Sequence, residues 1–241
     1  MSGHSKWSTI KNKKAKTDSE RAKIFTKIGR EISVAVKMGG VDPEKNKRLK
    51  DVIIKAKANN VPNSNIERML KKAAGDGQKE DYYSITYEGY GPKGVAVLVN
   101  ALTDNRNRTA ANVRHYFDKF GGNLGTSGCV SYIFSRKGVI YLEIDEKEEE
   151  GLIEKCIEMK ALDFESGEGI FKIVVESERF SFFVETLRKD GFKFLSAAIE
   201  EVPSDYVKIE DEQVMENMEK LIKSFEEDED IQEVFTNCKD F

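Results

Sequence analysis

Apolar positions in the first third of the chain recur at intervals of three and four, which is the spacing of short amphipathic helices. The first set comprises Ile24, Phe25, Ile28, Ile32, Ala35 and Val36. It predicts a helix from the capping box Thr17-Asp18-Ser19-Glu20 to Gly39-Gly40. A second helix is predicted to open at Asp42-Pro43, and a third to run from the capping box Ser64-Asn65-Ile66-Glu67 to Gly75. Residues 17–75 should therefore form a small three-helix bundle, in which the second helix buries Leu49, Val52, Ile53 and Ala56.

After the linker around Gly75–Gln78 the pattern changes to alternation, which is typical of strands. Tyr83, Ile85 and Tyr87 alternate with polar residues, and Val95–Val99 is a continuous apolar strand. A helix is predicted over Asp104–Phe120, with Ala110, Val113, Phe117 and Phe120 facing inward. A third strand is predicted over Val130–Phe134.

The segment 138–203 has a pattern that is complete in itself. Strands are predicted at Val139–Ile144, Ala161–Phe164, Ile170–Val175 and Phe194–Glu201, and helices at Glu148–Met159 and Arg179–Asp190. This βαββαβ order is that of ferredoxin-like domains. The helix Glu212–Phe225 and the strand near Ile231–Phe235 cannot form a domain alone, so we expect them to complete the sheet that begins near residue 82.

These elements predict an α+β protein of three domains. The expected boundaries are 1–76 for a basic N-terminal helical domain, 77–136 plus 204–241 for a discontinuous middle α/β domain, and 137–203 for the inserted ferredoxin-like domain.

The net charge of −4 conceals a strong asymmetry along the chain. Residues 1–75 contain 19 Lys+Arg and 7 Asp+Glu, whereas residues 76–241 contain 20 and 36. A concentrated basic segment attracts a polyanion because binding releases condensed counterions. The charge distribution therefore favours nucleic acid as the partner, with ordinary solvated lysine faces as the alternative.

Several classes of protein are not expected. No apolar run approaches the ~20 residues of a membrane span, and the polar, basic N-terminus lacks the apolar segment of a secretory signal. Three widely spaced cysteines and two histidines predict neither a disulfide framework nor a metal site. We expect a cytoplasmic protein with no cofactor, no membrane partner and no evident small-molecule substrate; the sequence leaves the oligomeric state open.

The N-terminal arm, residues 1–16, combines cations with the single tryptophan of the chain. Its candidate contact residues are His4, Ser5, Lys6, Trp7, Lys11, Lys13, Lys14 and Lys16. The indole suits stacking on an exposed base while the lysines hold phosphates. Alternatively, Trp7 packs on the bundle as an anchor, and the two interpretations are compatible.

The first predicted helix continues the basic surface through Arg21, Lys23, Lys27 and Arg30. The last three share a face, and Glu31 is the acidic residue closest to them. A solvated helix face is the alternative interpretation.

A further candidate is the segment Thr103–Thr109, which contains Asn105, Arg106, Asn107 and Arg108 at a strand-to-helix junction. Backbone N–H groups at a helix start and two arginines could bind a phosphate. Capping by Asp104 or Asn105, with exposed arginines, is favoured by the physics alone. The glycine-rich segment Gly121–Gly128 has neither a Walker nor a dinucleotide spacing and indicates turns. No catalytic constellation is present, which predicts that the protein is not an enzyme.

Several strings together resemble the YebC/PmpR family, in order along essentially the whole chain. They are Gly3-His4-Ser5-Lys6-Trp7, Arg21 with Phe25-Thr26-Lys27, Gly39-Gly40, Asp42-Pro43, Asn59-Asn60-Val61-Pro62, Tyr87-Glu88-Gly89-Tyr90-Gly91-Pro92, Thr103-Asp104-Asn105-Arg106-Asn107-Arg108-Thr109 and Gly122-Asn123-Leu124-Gly125. The resemblance implies a helical domain, a middle α/β domain and an inserted ferredoxin-like domain. It also strengthens the case for the arm and for Asn105–Arg108 as contact residues.

Family members are described as DNA-binding transcriptional regulators, and relatives as translation factors that act on the ribosome, including at proline-rich stretches. The resemblance therefore implies a DNA-binding regulator, with a ribosome- or rRNA-binding translation factor as the alternative. Lysine-rich contacts position a protein without reading sequence, and an extended arm with an aromatic suits irregular RNA. Physics thus favours RNA where the family description favours transcription, and the choice of target stays open at this point.

Overall fold

The computed structural model of the protein describes residues 18–75 and 82–239, without the side chains of residues 18–21 and 146. Over these ranges the fold is α+β, with seven α-helices and two antiparallel four-stranded sheets. Residues 18–75 and Arg136–Glu200 form one compact unit, and residues 82–135 and 201–239 form a second. The boundaries predicted for three domains stay a prediction. None of the described helices is long and apolar enough to cross a membrane.

Residues 18–75 of the first unit contain three helices: α1 (Asp18–Gly39), α2 (Lys47–Ala58) and α3 (Asn63–Ala74). Their shared core is built from the apolar stripe of each helix, including Ile28, Ile32, Leu49 and Ile66. The end of α1 at Gly39-Gly40 is confirmed; Gly40 has a φ of +83°, a conformation that glycine adopts without a steric penalty. The capping box at Thr17 lies outside the described residues.

The predicted start of the second helix at Asp42-Pro43 is wrong. Those residues form a turn, in which the amide of Glu44 donates to Asp42 Oδ1 at 3.1 Å, and α2 begins only at Lys47. Asn46 caps it by accepting from the amide of Leu49 at 3.0 Å. The same side chain is 6% exposed and donates to the carbonyl oxygens of Ala35 and Gly40. Contacts with α1 therefore place the helix start.

The capping box predicted at Ser64 is also wrong, because α3 begins at Asn63 after Pro62 and no side chain caps it. On α2, the buried isoleucine is Ile54, which is 7% exposed, whereas Ile53 is half-buried.

The βαββαβ order predicted for the inserted segment is confirmed. The elements are β4 (Phe134–Glu143), α5 (Glu146–Glu158), β5 (Asp163–Gly167), β6 (Ile170–Glu176), α6 (Phe180–Lys189) and β7 (Lys193–Pro203). The sheet order β5-β6-β4-β7 is that of a ferredoxin-like domain.

The helical bundle packs on this domain through α2 and α6. Ile54 and Ala58 belong to the same buried cluster as Phe183 and Val184 of α6. The Nζ of Lys50 lies 3.3 Å from a carboxylate oxygen of Glu185. One side of α2 therefore packs in the bundle core, and its other apolar side, with Ile54 and Ala58, packs on the βαββαβ domain.

The second unit contains β1 (Tyr83–Tyr90), β2 (Ala96–Thr103), α4 (Arg106–Lys119), β3 (Asn123–Leu124), α7 (Glu212–Glu227) and β8 (Ile231–Thr236). Its sheet order is β3-β1-β2-β8, which confirms that the C-terminal strand returns to the sheet begun near residue 82. Val113 and Phe117 of α4 pack with Leu221 and Phe225 of α7 on one face of this sheet.

The strand predicted over Val130–Phe134 is wrong. Residues Ser131–Ile133 form a 3-10 turn, and β4 begins at Phe134. The amides of Val130 and Ser131 donate to the Glu88 carboxylate, so they are not available to a strand ladder.

Candidate nucleic-acid interface

The arm residues predicted to contact nucleic acid lie outside the described residues. They are His4, Ser5, Lys6, Trp7, Lys11, Lys13, Lys14 and Lys16. Arg21 lies in the first turn of α1, but its side chain is not described. The structure places the remaining candidates at two locations, which are α1 in the first unit and the start of α4 in the second.

On α1, the cations lie on the side opposite the core. Ile28, Ile32 and Ala35 are at most 1% exposed. Because successive helical residues turn by about 100°, Lys23 and Arg30 project from nearly the same angle, roughly opposite this buried stripe. Lys23 is exposed, and Lys27 and Arg30 are half-buried.

Glu31 was predicted to be the acid nearest to these cations. Its carboxylate accepts a hydrogen bond from Lys55 of α2 at 2.8 Å, and the two side chains are 15% and 19% exposed. This half-buried pair links α1 to α2 and helps to hold the two helices together.

At the start of α4, Asn105 is the N-cap and accepts from the amide of Arg108 at 3.1 Å. Asn105, Arg106 and Asn107 are exposed. The capping that the sequence indicated for Asp104 or Asn105 is therefore made by Asn105.

Arg108 is engaged by two carboxylates. Its Nη2 lies 2.7 Å from Asp230 Oδ2 and 2.7 Å from Asp104 Oδ1. The same oxygen of Asp230 accepts from the hydroxyls of Thr109 at 2.9 Å and Thr103 at 3.1 Å. These contacts connect the ends of β2 and β8 to the first turn of α4.

The charges in this network stabilise each other. Burial acts to raise the pKa of Asp230, but hydrogen bonds from Arg108, Thr109 and Thr103 outweigh it, so the pKa lies below its ordinary value. The hydrogen bonds that Arg108 itself donates to Asp230 and Asp104 raise the pKa of Arg108. Asp230 therefore stays ionised at neutral pH and orients the Arg108 guanidinium.

Arg106 has a different environment. Its guanidinium carbon lies 4.0 Å from the centre of the Tyr83 ring, which is the geometry of a cation–π contact. Tyr83 is 39% exposed. Arg106 and Tyr83 thus form an accessible cation–aromatic pair beside the exposed Asn107, whereas Arg108 faces its carboxylate partners.

Sequence reasoning missed Tyr83, Asp230 and the cations of α3 as individual contributors. Arg68, Lys71 and Lys72 are all exposed. Their i, i+3, i+4 spacing and the single acid of α3, Glu67, could have been recognised in the sequence. No local signal links Tyr83 or Asp230 to residues 103–109, because those contacts form only when the sheet assembles.

Glu88 is the least expected residue of the second unit. It was assigned to the polar side of β1, yet it is 5% exposed. Its carboxylate accepts from the amides of Gly128, Val130 and Ser131 at 2.8, 2.9 and 2.8 Å. Burial acts to raise its pKa, but these hydrogen bonds outweigh it and lower the pKa.

The segment held by Glu88 ends in an exposed aromatic. Tyr132 is 76% exposed, while Tyr90 beneath it donates to the carbonyl of Cys129 at 2.8 Å. Within residues 18–75 and 82–239, no three His, Cys, Asp or Glu side chains are grouped so that they could hold a metal ion.

Comparison with known proteins places this geometry in a family. The model for the "TACO1/YebC protein N-terminal domain" matches residues 5–76, and that for the "TACO1/YebC second and third domain" matches residues 82–238. A "Probable transcriptional regulatory protein" of Finegoldia magna is 54% identical over 98% of both chains. A protein of the same description from Acetivibrio thermocellus is 53% identical, again over 98% of both chains.

Among solved structures, a conserved hypothetical protein of Aquifex aeolicus is similar to this chain. It is 47% identical, with a TM-score of 0.83 over 93% of each chain. The two family models cover nearly the whole chain in the order of its domains, and the chain belongs to the TACO1/YebC family.

Proposed function

We propose that the protein is a non-enzymatic regulator of transcription that binds DNA through its N-terminal basic region. The names of the relatives support a regulatory role, and they give no support to the alternative of a ribosome-bound translation factor. The excess of 19 cations over 7 acids in residues 1–75 supports a polyanionic partner. The proposal places the protein in the cytoplasm.

The observation that carries the proposal is the two-sided character of α1. One side is buried in the bundle core, and the other presents Lys23, Arg30 and Lys37 at intervals of seven residues. Two turns of helix advance about 10.5 Å, so the three cations span roughly 21 Å in one line. Such a line matches the extended charge of a nucleic-acid backbone better than it matches a small anion.

The start of α4 is the proposed second contact. Arg106 and Asn107 are exposed and serve as the contact groups, with the Tyr83 ring supporting the Arg106 guanidinium. Because Arg108 is bound by Asp104 and Asp230, we assign it the role of holding the first turn of α4 in place.

The test removes two α1 charges. A Lys23→Gln/Arg30→Gln variant should bind a fluorescent DNA duplex more weakly in anisotropy titrations and show a salt slope smaller by about 1.8. The matched control is Lys220→Gln/Lys223→Gln, which removes two exposed cations from a helix of the second unit and should leave the salt slope unchanged. Equal affinities for the wild type and the α1 variant would refute the proposed contact.

The target is tested in cells. Crosslinked nucleic acid recovered with the wild-type protein is sequenced, and its sedimentation from lysate is compared with and without RNase. Enriched promoter DNA that is indifferent to RNase is the expected result. Enriched ribosomal RNA would overturn the DNA target and favour the translation-factor alternative.

A further inference from the structure

The helix α3 presents a second row of cations that the sequence did not single out. Arg68 and Lys72 are exposed, lie one turn apart, and make no ion pair with any residue in the described ranges. The sole acid of α3 is Glu67. Glu67 lies on the side of α3 nearer to Lys71. Around the helix axis it is about 100° from Arg68 and about 140° from Lys72.

The seam between α1 and α3 brings this row beside the first. The helices approach at Gly29 and Met69, since a Cβ on Gly29 would lie 3.9 Å from Met69 Cε. Helical geometry places Lys72 and Arg68 about 60° and 100° beyond Met69, away from the core. On α1, Arg30 lies about 100° around the helix from Gly29, likewise on the side away from the core.

The floor of this seam offers no hydroxyl donor. Thr26 donates to the carbonyl of Ala22, and Ser33 donates to the carbonyl of Gly29, both at 3.0 Å. Their protons are used within α1. Contacts here therefore fall to the cations and to Asn65, which is half-buried on the seam side of α3, about 40° around the helix from Met69. Cations position a nucleic acid through its phosphates, whereas sequence is read by donors and acceptors aimed at base edges.

We infer that a nucleic-acid backbone lies along the α1–α3 seam, between the row Lys23, Arg30 and Lys37 and the row Arg68 and Lys72, and is held without regard to base sequence. The inference rests on the proposed function and specifies its ligand as a run of phosphodiesters. The sole acid of α3 lies off the seam side of that helix, so Arg68 and Lys72 make the α3 side of this surface cationic. Sequence selectivity must then come from outside the seam.

The decisive variant is Arg68→Gln/Lys72→Gln, titrated with a 25-base-pair DNA duplex and with a scrambled duplex of equal composition. Loss of two phosphate contacts should reduce the salt slope by about 1.8 and the affinity roughly 60-fold at 0.1 M salt, relative to 1 M salt. The variant should lose affinity for the scrambled duplex by the same factor. Circular dichroism melting checks that the exposed substitutions leave the fold intact.

The matched control is Lys57→Gln/Lys71→Gln, which removes two exposed cations of the same bundle that lie off the seam. If the Arg68→Gln/Lys72→Gln variant binds DNA as tightly as this control, the inference is wrong. It is also wrong if the wild type prefers one of the two duplexes tenfold and the seam variant loses that preference. If Lys23→Gln/Arg30→Gln still weakens binding in that case, the proposed function stands and only the seam is refuted. If neither α1 nor α3 variants matter, both fail.

Discussion

Replacing Glu88 by Gln tests how the segment from Gly125 to Ile133 is held in place. The Glu88 carboxylate is 5% exposed and receives three backbone amides, one on Oε1 and two on Oε2. Glutamine has the same shape, but its single carbonyl oxygen can serve only the two amides that share an oxygen. Its NH₂ group then faces the amide of Gly128, so that two donors oppose each other.

The magnitude follows from what is lost. A hydrogen bond to a charged group contributes about 1.5–3 kcal/mol, and a buried donor without a partner costs about 1–3 kcal/mol. The segment can relax in part, so we expect a loss of about 3 kcal/mol in the free energy that holds it closed. Since 1.4 kcal/mol corresponds to a factor of ten in an equilibrium constant, the population of the open state should rise roughly 100-fold.

Hydrogen exchange measures this opening directly. The amides of Gly128, Val130 and Ser131 should exchange roughly 100-fold faster in Glu88→Gln, while the amides in the middle of α4 keep their protection. Glu219→Gln, an exposed glutamate of α7 in the same unit, is the control and should change nothing. Unaltered exchange at the three amides in Glu88→Gln would refute the reasoning.

The same assay has a defined pH dependence. Because the folded protein lowers the pKa of Glu88 below its usual value of 4.5, the carboxylate contributes fully above about pH 4.5. As the pH falls below that value through the lowered pKa, the contribution is lost. After correction for intrinsic exchange rates, wild-type protection should fall in acid, whereas Glu88→Gln should stay flat.

Two further substitutions probe the interfaces that position the candidate surfaces. Asp230→Asn removes the charge that binds Arg108 and should weaken the first turn of α4 by about 2 kcal/mol, which is less than for a fully buried pair because Arg108 is 47% exposed. Hydrogen exchange should become faster in that turn alone, and unchanged exchange would contradict the network. Ile54→Ala should cost about 3 kcal/mol in urea unfolding of the first unit, because Ile54 is 7% exposed between the bundle and the βαββαβ core. The control is Ile157→Ala, which should cost less than about 0.5 kcal/mol because Ile157 is 63% exposed. Equal losses of stability for the two variants would show that Ile54 is not an interface residue.

Elements whose bounds are set by nearby residues were predicted well, whereas those set by contacts between distant residues were not. The helix Glu212–Glu227 and the strand Ile231–Thr236 were predicted nearly at their bounds, because periodicity and end signals are local properties. The start of α2 was not, since Asn46 is held by carbonyls of α1. Alternation grouped Glu88 with the polar residues of β1, whereas the segment after β3 folds over it and buries it.

The candidate site shows the same division. The line of cations on α1 could be read from spacing, because an α-helix converts spacing into a face. The different environments of Arg106 and Arg108 could not be read, since they depend on Tyr83 and Asp230, which lie in other strands. The seam between α1 and α3 depends on the approach of Gly29 to Met69, which periodicity alone does not specify.

The pairing of β2 with β8 has a consequence for how the chain folds as it is synthesised. The apolar strand β2, in which Val97 and Val99 are 0% exposed, lies between β1 and β8, and β8 follows it in the sequence by more than 120 residues. Until Ile231–Thr236 leaves the ribosome, β2 has one unpaired apolar edge, and such edges template aggregation. The βαββαβ segment lies wholly upstream and can be completed earlier. Nascent chains that end before β8 should therefore be strong clients of chaperones, and C-terminal truncations should be recovered mainly as aggregates.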